Sequence, residues 1–516
     1  MNLEKVRVCM RKTAVVLMVI TIVSKALGLL RDLVLSNFYG ASTTSDAYLV
    51  SITITSVLFG FVVTGIATSY IPMYRSIEKN FSKARAVLFT SNLAGLLTVL
   101  ATIITILGMV FTEQLVKLFA SGFEGGTFKL AVVFTRICLF NLYFTGLIGL
   151  YSGFLQLQGN YIIPALIGLP LNIVTIIFIY LSTTINIFWL GIGTVLATVS
   201  QFLLLVPFIL KKKYKHRFRF DIKDEHIKKT IQIALPVIFG VSINEINVVV
   251  DRTIASQITP GGISALYYAN LLNNFVLGVF VVSISSIMYP QVSKMAAERD
   301  MLGFKKMVRN AVTGINFLVL PAAVGLMVLS EPLVKLLFGR GEFDSRAISM
   351  TASALFFSSI GLIGFSLREI VSRAFYALQD TKTPAINAAI AVVLNIILNI
   401  VLSRYMGIDG LALATSISAI ICLILLLISL QKKIGSYGIN NIIISFIKVL
   451  FSSVIMGIVV KFIYKYLDHF MGDKSTLLIS IIIGVIVYAI SVYILKIKEI
   501  NYSMKMINNK VKKSRD

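Results

Sequence analysis

The chain has 516 residues, 57% hydrophobic and only 14% charged, with a formal net charge of +25. Soluble domains carry about 25% charged residues, so this composition excludes a sizeable water-facing domain. Lys and Arg concentrate in alternate loops, which ties the charge to membrane topology and anionic lipid headgroups. It argues against nucleic acid, because no folded polar domain is present to display a basic face.

Apolar runs of about 20 residues, the length that crosses a bilayer as a helix, recur from end to end. They predict helices over about 13–38, 44–73, 84–111, 128–157, 161–183, 187–210, 230–256, 263–290, 303–330, 346–378, 384–404, 409–431, 441–465 and 475–496. The expectation is an all-α polytopic membrane protein of about 14 transmembrane helices. The start of the chain is basic and then apolar, like a secretory leader. The run continues through Arg31 with no cleavage site, so the first helix is read as retained. Lys5, Arg7, Arg11 and Lys12 precede the first span, and Arg75, Lys79, Lys83 and Arg85 follow the second. "KKKYKHRFRF" follows the sixth, "KMAAERDMLGFKKMVR" the eighth, and Lys432 and Lys433 the twelfth, while "KVKKSR" closes the chain. With 14 spans these all fall on one side, and the positive-inside rule puts both termini in the cytoplasm.

The chain also repeats itself. "EQLVKLFASG" from Glu113 matches "EPLVKLLFGRG" from Glu331; "SYIPMY" with Pro72 matches "IMYPQV" with Pro290; "FLQLQGNYIIPA" matches "FYALQDTKTPA". Each pair is about 220 residues apart and the order is kept. Two six-helix repeats follow, related by a pseudo-two-fold axis along the membrane normal, with two extra C-terminal helices. The corresponding domains are 1–210, a basic cytoplasmic linker 211–229, 230–431, the added pair 441–496, and a basic tail 497–516.

Polar residues inside the spans are the candidates for function, since an Arg there costs about 2.5 to 3.5 kcal/mol on insertion scales. "RDLVLS" at Arg31 is echoed with the order swapped by "DRTIAS" at Asp251. For Arg31–Asp32 three readings stand: a helix end at the interface, a structural ion pair, or a substrate-facing site. Lys25, Gly28 and Asp32 share a helical face, which Asp46 can meet across the hairpin. Glu245, Asn247, Asp251 and Arg252 lie on the seventh span, and Asn270, Asn273 and Asn274 on the eighth. Arg368, Glu369 and Arg373 line the tenth at spacings suited to local pairing. Asn395 and Asn399, with Asp251 and Thr415, offer oxygen ligands for a coupling ion, Na+ or H+; interhelical hydrogen bonding is the commoner role of such asparagines. No P-loop, HExxH, CxxC or GxSxG occurs, so neither an enzyme nor a cofactor is expected. The three cysteines are too widely spaced for a disulfide framework or metal site.

"SKALGLLRDLVLSNFYGASTTSDAY" resembles the first-hairpin signature of the MurJ/MviN family, S-[KR]-x-L-G-x-x-R-D followed by F-G-A and D-A-[FY]. "YYAN" from Tyr267 and "FYALQDTKTP" from Phe375 also resemble that family, and the similarity covers nearly the whole chain. The resemblance implies flipping of lipid II, an undecaprenyl-pyrophosphate-linked precursor, across the bacterial inner membrane. It implies two six-helix lobes around a cationic cavity, with the extra pair forming a groove for the lipid tail, and other cell-wall synthesis proteins as partners. Lys25, Arg31, Asp32 and Asp46 match family cavity positions, and Arg252, Asn270 and Asn274 join them as substrate-binding candidates. Many relatives carry arginine where Phe59 and Leu271 stand, and an acidic residue near Asn274. The alternatives are a flippase for another polyprenyl-linked glycan and an ion-coupled exporter of small molecules.

Overall fold

The computed structural model of the protein describes residues 3–212, 214 and 220–495, with side chains from residue 16 onward except at 239, 243 and 244. Most of the "KKKYKHRFRF" linker, the 497–516 tail, and the side chains of Lys5, Arg7, Arg11 and Lys12 lie outside that description.

The described residues form helices only, as a bilayer demands of a backbone that must satisfy its own hydrogen bonds. In order they are α1 (Leu3–Tyr39), α2 (Thr43–Asn80), α3 (Lys83–Val110), α4 (Thr112–Phe119), α5 (Gly125–Cys138), α6 (Asn141–Leu157), α7 (Ile162–Leu166), α8 (Gly168–Thr184), α9 (Trp189–Lys211) and α10 (Glu225–Ile258). Then follow α11 (Gly262–Val276), α12 (Val282–Ala297), α13 (Met301–Val328), α14 (Ser330–Phe338), α15 (Ser345–Ile360), α16 (Leu362–Ala377), α17 (Lys382–Met406), α18 (Ile408–Ile434), α19 (Ile439–Leu467) and α20 (Asp473–Ile494). A π-helical turn, Leu277–Val281, joins α11 to α12.

Eleven of the described helices are long and apolar enough to cross a membrane, or up to 13 if two bent pairs each count as one span. Fourteen were expected. Part of the difference is physical: the helices expected over 128–157 and 346–378 are each broken, by 41° between α5 and α6 and 42° between α15 and α16. Apolarity reads continuously through both breaks and hides them. The breaks fall about 220 residues apart, as do the short helices α4 and α14, so the repeat seen in sequence is a repeat of structure.

The chain forms two compact units: Met1–Ser264 with Arg340–Phe343, and Ala265–Gly339 with Asp344–Asp516. The first is centred on stacked aromatics, with Tyr70 parallel to Phe89 at 6.0 Å and Tyr214 at 5.2 Å from Phe154. A Cβ on Gly153 would lie 3.0 Å from the Tyr70 ring, so the glycine lets α6 approach α2 closely. Helix α10 packs along α2 within this unit. Its start is tied down by the linker: the Asn92 side chain donates to the Asp221 carbonyl at 3.0 Å and accepts from the Asp221 N–H at 2.8 Å.

The second unit has two apolar clusters. One gathers Phe304, Val308, Val312, Ile370, Phe375 and Leu426. The other seats the added pair α19–α20 on α13, through Val449, Met456, Val460, Tyr488 and Val492 against Leu320 and Leu329. Tyr488 Oη donates to the Phe317 carbonyl at 2.7 Å, and Lys448 Nζ reaches the Leu495 carbonyl at 3.1 Å. A lysine among apolar residues is thereby spent on a helix end, whose free carbonyls favour a cation.

Candidate functional site

Helix α1 continues past Arg31 to Tyr39, so the reading of Arg31–Asp32 as a helix end is excluded. Arg31 folds back on its neighbour: Nε and Nη2 donate to Asp32 Oδ1 at 3.0 and 2.8 Å. The Asp32 side chain is 3% exposed and that of Arg31 27%, so the carboxylate is buried while the arginine side chain is partly exposed. The pairing offsets the cost of holding charge inside a span. Lys25, about two turns earlier, is exposed. The Gly28 surface between them faces α8, where Asn172 Nδ2 donates to the Ser24 carbonyl at 3.2 Å.

Asp46 is engaged elsewhere than on the α1 face. Its carboxylate accepts from Gly261 N at 2.7 Å, Ser264 N at 2.8 Å and Ser264 Oγ at 2.6 Å. It thus caps the first turn of α11, where unpaired N–H groups and the helix dipole favour an anion. Arg252 holds the same corner, with Nη1 donating to the Ile263 carbonyl at 3.1 Å. Its neighbour Asp251 accepts from Asn247 Nδ2 at 3.3 Å. Glu245, two turns before Asp251, is half-buried.

On α11 the asparagines separate by face. Asn270 and Asn274, one turn apart, are exposed, whereas Asn273 is buried. Asn273 Nδ2 donates to Ser358 Oγ at 2.8 Å and its Oδ1 accepts from Ser359 Oγ at 3.1 Å. Asn273 is therefore a strut at the α15–α16 break and does not share the exposed face of Asn270 and Asn274.

On α16, Arg373 Nε pairs with Glu369 at 2.8 Å and its guanidinium lies 5.8 Å from the Tyr289 ring, while Arg368 lies 5.5 Å from the Phe365 ring. The local pairing expected from spacing is present. On α17, Asn395 Nδ2 donates to Ser418 Oγ at 3.1 Å and Thr415 Oγ1 at 3.3 Å, and Asn399 Nδ2 donates to Asn395 Oδ1 at 3.0 Å. These amides knit α17 to α18, the interhelical bonding such residues favour. Among the described residues no group of three or more His, Cys, Asp or Glu is placed to hold a metal.

Phe59, which stands where the resemblance places arginine in many relatives, is 1% exposed in the first unit's core, with Gly146 making room for its ring. Sequence reasoning missed the Asn92–Asp221 clamp, the Asn273 strut and two glycine contacts at Gly122 and Gly341. The glycines were visible as the shared last letter of "EQLVKLFASG" and "EPLVKLLFGRG". The clamp and strut use residues far apart in sequence and left no local pattern.

Duplicated helices, charges spent in pairs inside spans and a helix-only backbone define a multi-pass membrane transporter of the two-repeat class. The family profile described as "Lipid II flippase MurJ" matches residues 35–492, and the chain belongs to that family. It is 30% identical over 430 residues to a "Probable lipid II flippase MurJ" of Vibrio cholerae, covering 80% of this chain and 82% of that protein. A Thermotoga maritima protein of the same description is 27% identical, covering 93% and 95%. Among solved structures, "Lipid II flippase MurJ, inward closed conformation" superposes with a TM-score of 0.81 at 29% identity, covering 93% of this chain and 98% of that one. An inward-facing multidrug resistance MATE family transporter gives a TM-score of 0.68 at 17% identity over 82% of this chain and 98% of its own, which is a likeness of fold.

Proposed function

We propose that the protein moves lipid II from the cytoplasmic to the outer leaflet of the bacterial cytoplasmic membrane by alternating access. The observation that carries this reading is the family match over residues 35–492, joined to an arginine inside a span whose side chain is partly exposed. In this reading Arg31 meets the pyrophosphate with two parallel N–H groups and Lys25 adds a point charge. The exposed amides of Asn270 and Asn274 suit the hydroxyl-rich head group. The basic loops face the cytoplasm, and the polyprenyl tail stays in lipid beside α19 and α20. A pyrophosphate of charge about −2 leaving an inside-negative compartment gains about 2.3 kcal/mol per charge per 100 mV, so the membrane potential supplies the drive. An ion gradient is the alternative drive, and transport that persists at zero potential but follows Na+ or pH identifies it.

Phe59 and Leu271 favour a second reading, a flippase for another polyprenyl-linked glycan, because they remove cationic positions common in relatives. Depleting the protein and measuring which lipid-linked intermediate accumulates on the cytoplasmic face separates the two. Arg31→Ala is expected to abolish complementation while the protein still accumulates in the membrane; wild-type growth with that variant removes Arg31 from the role.

A further inference from the structure

The turn after the last helix of each repeat is seated by a buried tyrosine, and what lies beside that tyrosine differs. In the first unit Tyr214 packs on Tyr151 and Phe154 at 5.6 and 5.2 Å, and its Oη shares a hydrogen bond with Ser91 Oγ at 3.0 Å. In the second unit Tyr437 is buried in the cluster of Phe304 and Leu426, with Oη donating to the Leu427 carbonyl at 3.4 Å. In the register that matches Glu113 to Glu331, Val87 and Ser91 of α3 correspond to Lys305 and Arg309 of α13. A neutral corner in the first repeat is therefore a cationic corner in the second.

Lys305 and Arg309 lie one turn apart and are both half-buried. They face the turn between α18 and α19, where Gly435 and Gly438 stand at φ +74° and +84°. A Cβ on Gly438 would lie 3.1 Å from Arg309 Nη1, and one on Gly435 3.6 Å from Lys305 Nζ, so the two cations rest against bare backbone. Among the described residues neither side chain has a hydrogen bond or an ion pair. The carboxylates of the turns at this end are committed elsewhere: Asp300 caps α13 through Gly303 N at 2.8 Å, Glu298 pairs with Lys294, and Asp380 pairs with Lys433. Two like charges held one turn apart and partly out of water repel each other and lose hydration. An anion between them and the turn offsets both costs, and a glycine backbone lets it approach closely. A fork-shaped guanidinium beside a point-charge ammonium suits the oxygens of a phosphate.

We propose that Lys305, Arg309 and the Gly435–Gly438 turn bind a phosphate group, carried by a lipid headgroup or free in solution. The site uses neither Arg31 nor Lys25, and it stands whichever lipid the protein transports. With the basic loops in the cytoplasm, it faces the inner leaflet.

Two probes separate the sources in the detergent-purified full-length chain. Phosphatidylglycerol is read by native mass spectrometry as retained lipid, and inorganic phosphate as a rise in the unfolding midpoint. Wild type is expected to retain phosphatidylglycerol, and Lys305→Gln with Arg309→Gln to lower the retained fraction at least fivefold. Each single variant is expected to lower it less, and gives an answer even if the double variant does not accumulate. Lys306→Gln removes an exposed charge from the same turn of α13 and is expected to leave retention as in wild type. A midpoint that rises with inorganic phosphate in wild type but not in the paired variants, without lipid retention, assigns the site to a soluble phosphate. No response of wild type to either probe overturns the site. So does a response that the Lys305 and Arg309 variants keep, or that Lys306→Gln lowers equally, since the charges would then serve topology alone.

Discussion

The breaks between α5 and α6 and between α15 and α16 bend by nearly the same angle and are held by opposite means. At the first, Leu139 packs its side chain into space left by Gly108, and Thr105 Oγ1 reaches the Leu139 carbonyl at 3.4 Å. At the second the glycine is in the break itself: a Cβ on Gly361 would lie 2.6 Å from Ser416 Cα. Ser416 Oγ donates to the Phe357 carbonyl at 2.7 Å, and Asn273 bridges Ser358 and Ser359. The comparison teaches that one backbone plan can be held by two different fillings. What is duplicated is where carbonyls are released; how they are satisfied is free, apolar packing in one repeat and a polar node in the other. The next helix follows suit, with α6 placing Gly149 and Gly153 against α2 where α16 carries Glu369 and Arg373.

The harshest way to break the comparison is to move the charge across. Gly153→Arg puts a guanidinium against Tyr70 in a packed core, an overpacked and unpaired charge costing well above about 3 kcal/mol. No folded protein should be recovered by size-exclusion chromatography in detergent. The reverse exchange, Arg373→Gly, loses a half-exposed ion pair and a ring contact and puts glycine inside a helix, about 1 to 2 kcal/mol in all, and should still yield folded protein. Equal yields from the two would mean that the repeats tolerate each other's chemistry.

At the breaks the polar node should outweigh the apolar one. Asn273→Leu leaves Ser359 Oγ without its Asn273 acceptor, while Ser358 Oγ keeps the Leu355 carbonyl, at about 1 to 3 kcal/mol. Thr105→Val gives up one long hydrogen bond at about 1 kcal/mol or less. The midpoint of thermal unfolding should fall further for Asn273→Leu; the opposite order would show that the second break is held mainly by apolar contacts.

Much of this was legible in the sequence, because bilayer-length apolar runs and a repeat of about 220 residues are one-dimensional signals. The ion pairs Arg31–Asp32 and Glu369–Arg373 were legible for the same reason, being neighbours or one turn apart. What spans long separations was not. Asp46 was expected to face α1 across its hairpin, but a carboxylate near a helix start answers to unpaired N–H groups, and those it meets lie more than 200 residues away. Asn273 was grouped with Asn270 and Asn274 by type, although its place in the turn puts it on another face. The helix breaks were hidden because a bent pair keeps the hydropathy of a straight span.

A smaller asymmetry lies just after the broken helices. Gly159 and Gln379 occupy matching turn positions, both left-handed, at φ +79° and +57°. A non-glycine residue there costs roughly 1 to 2 kcal/mol. Gln379→Gly should therefore stabilise the protein by about 1 kcal/mol or slightly less, after the entropy that glycine adds to the unfolded chain. Gly159→Gln should destabilise it by a similar amount. Two changes of the same sign in the unfolding midpoint would show that local hydrogen bonds, not φ, decide this turn.

The next residues are the gentlest test. In the first repeat Asn160 Oδ1 accepts from Ile163 N, and Lys212 reaches the Gln158 carbonyl. In the second, Asp380 accepts from Thr383 N in the same way but also pairs with Lys433. The Lys433 hydrogen bond, with help from Thr383, pulls the Asp380 carboxyl down to about 2. A depressed carboxylate stabilises the fold above its ordinary pKa near 3.8 and loses that contribution as pH falls toward 2. The pair is partly exposed, so its worth is under about 1 kcal/mol and falls with salt. Asp380→Asn recreates the neutral first-repeat corner. It should unfold slightly earlier than wild type at neutral pH and low salt, with the gap closing between about pH 4 and pH 2. A gap that survives acid would place the stabilisation in the cap on Thr383, which both repeats share, and not in the charge that only the second repeat carries.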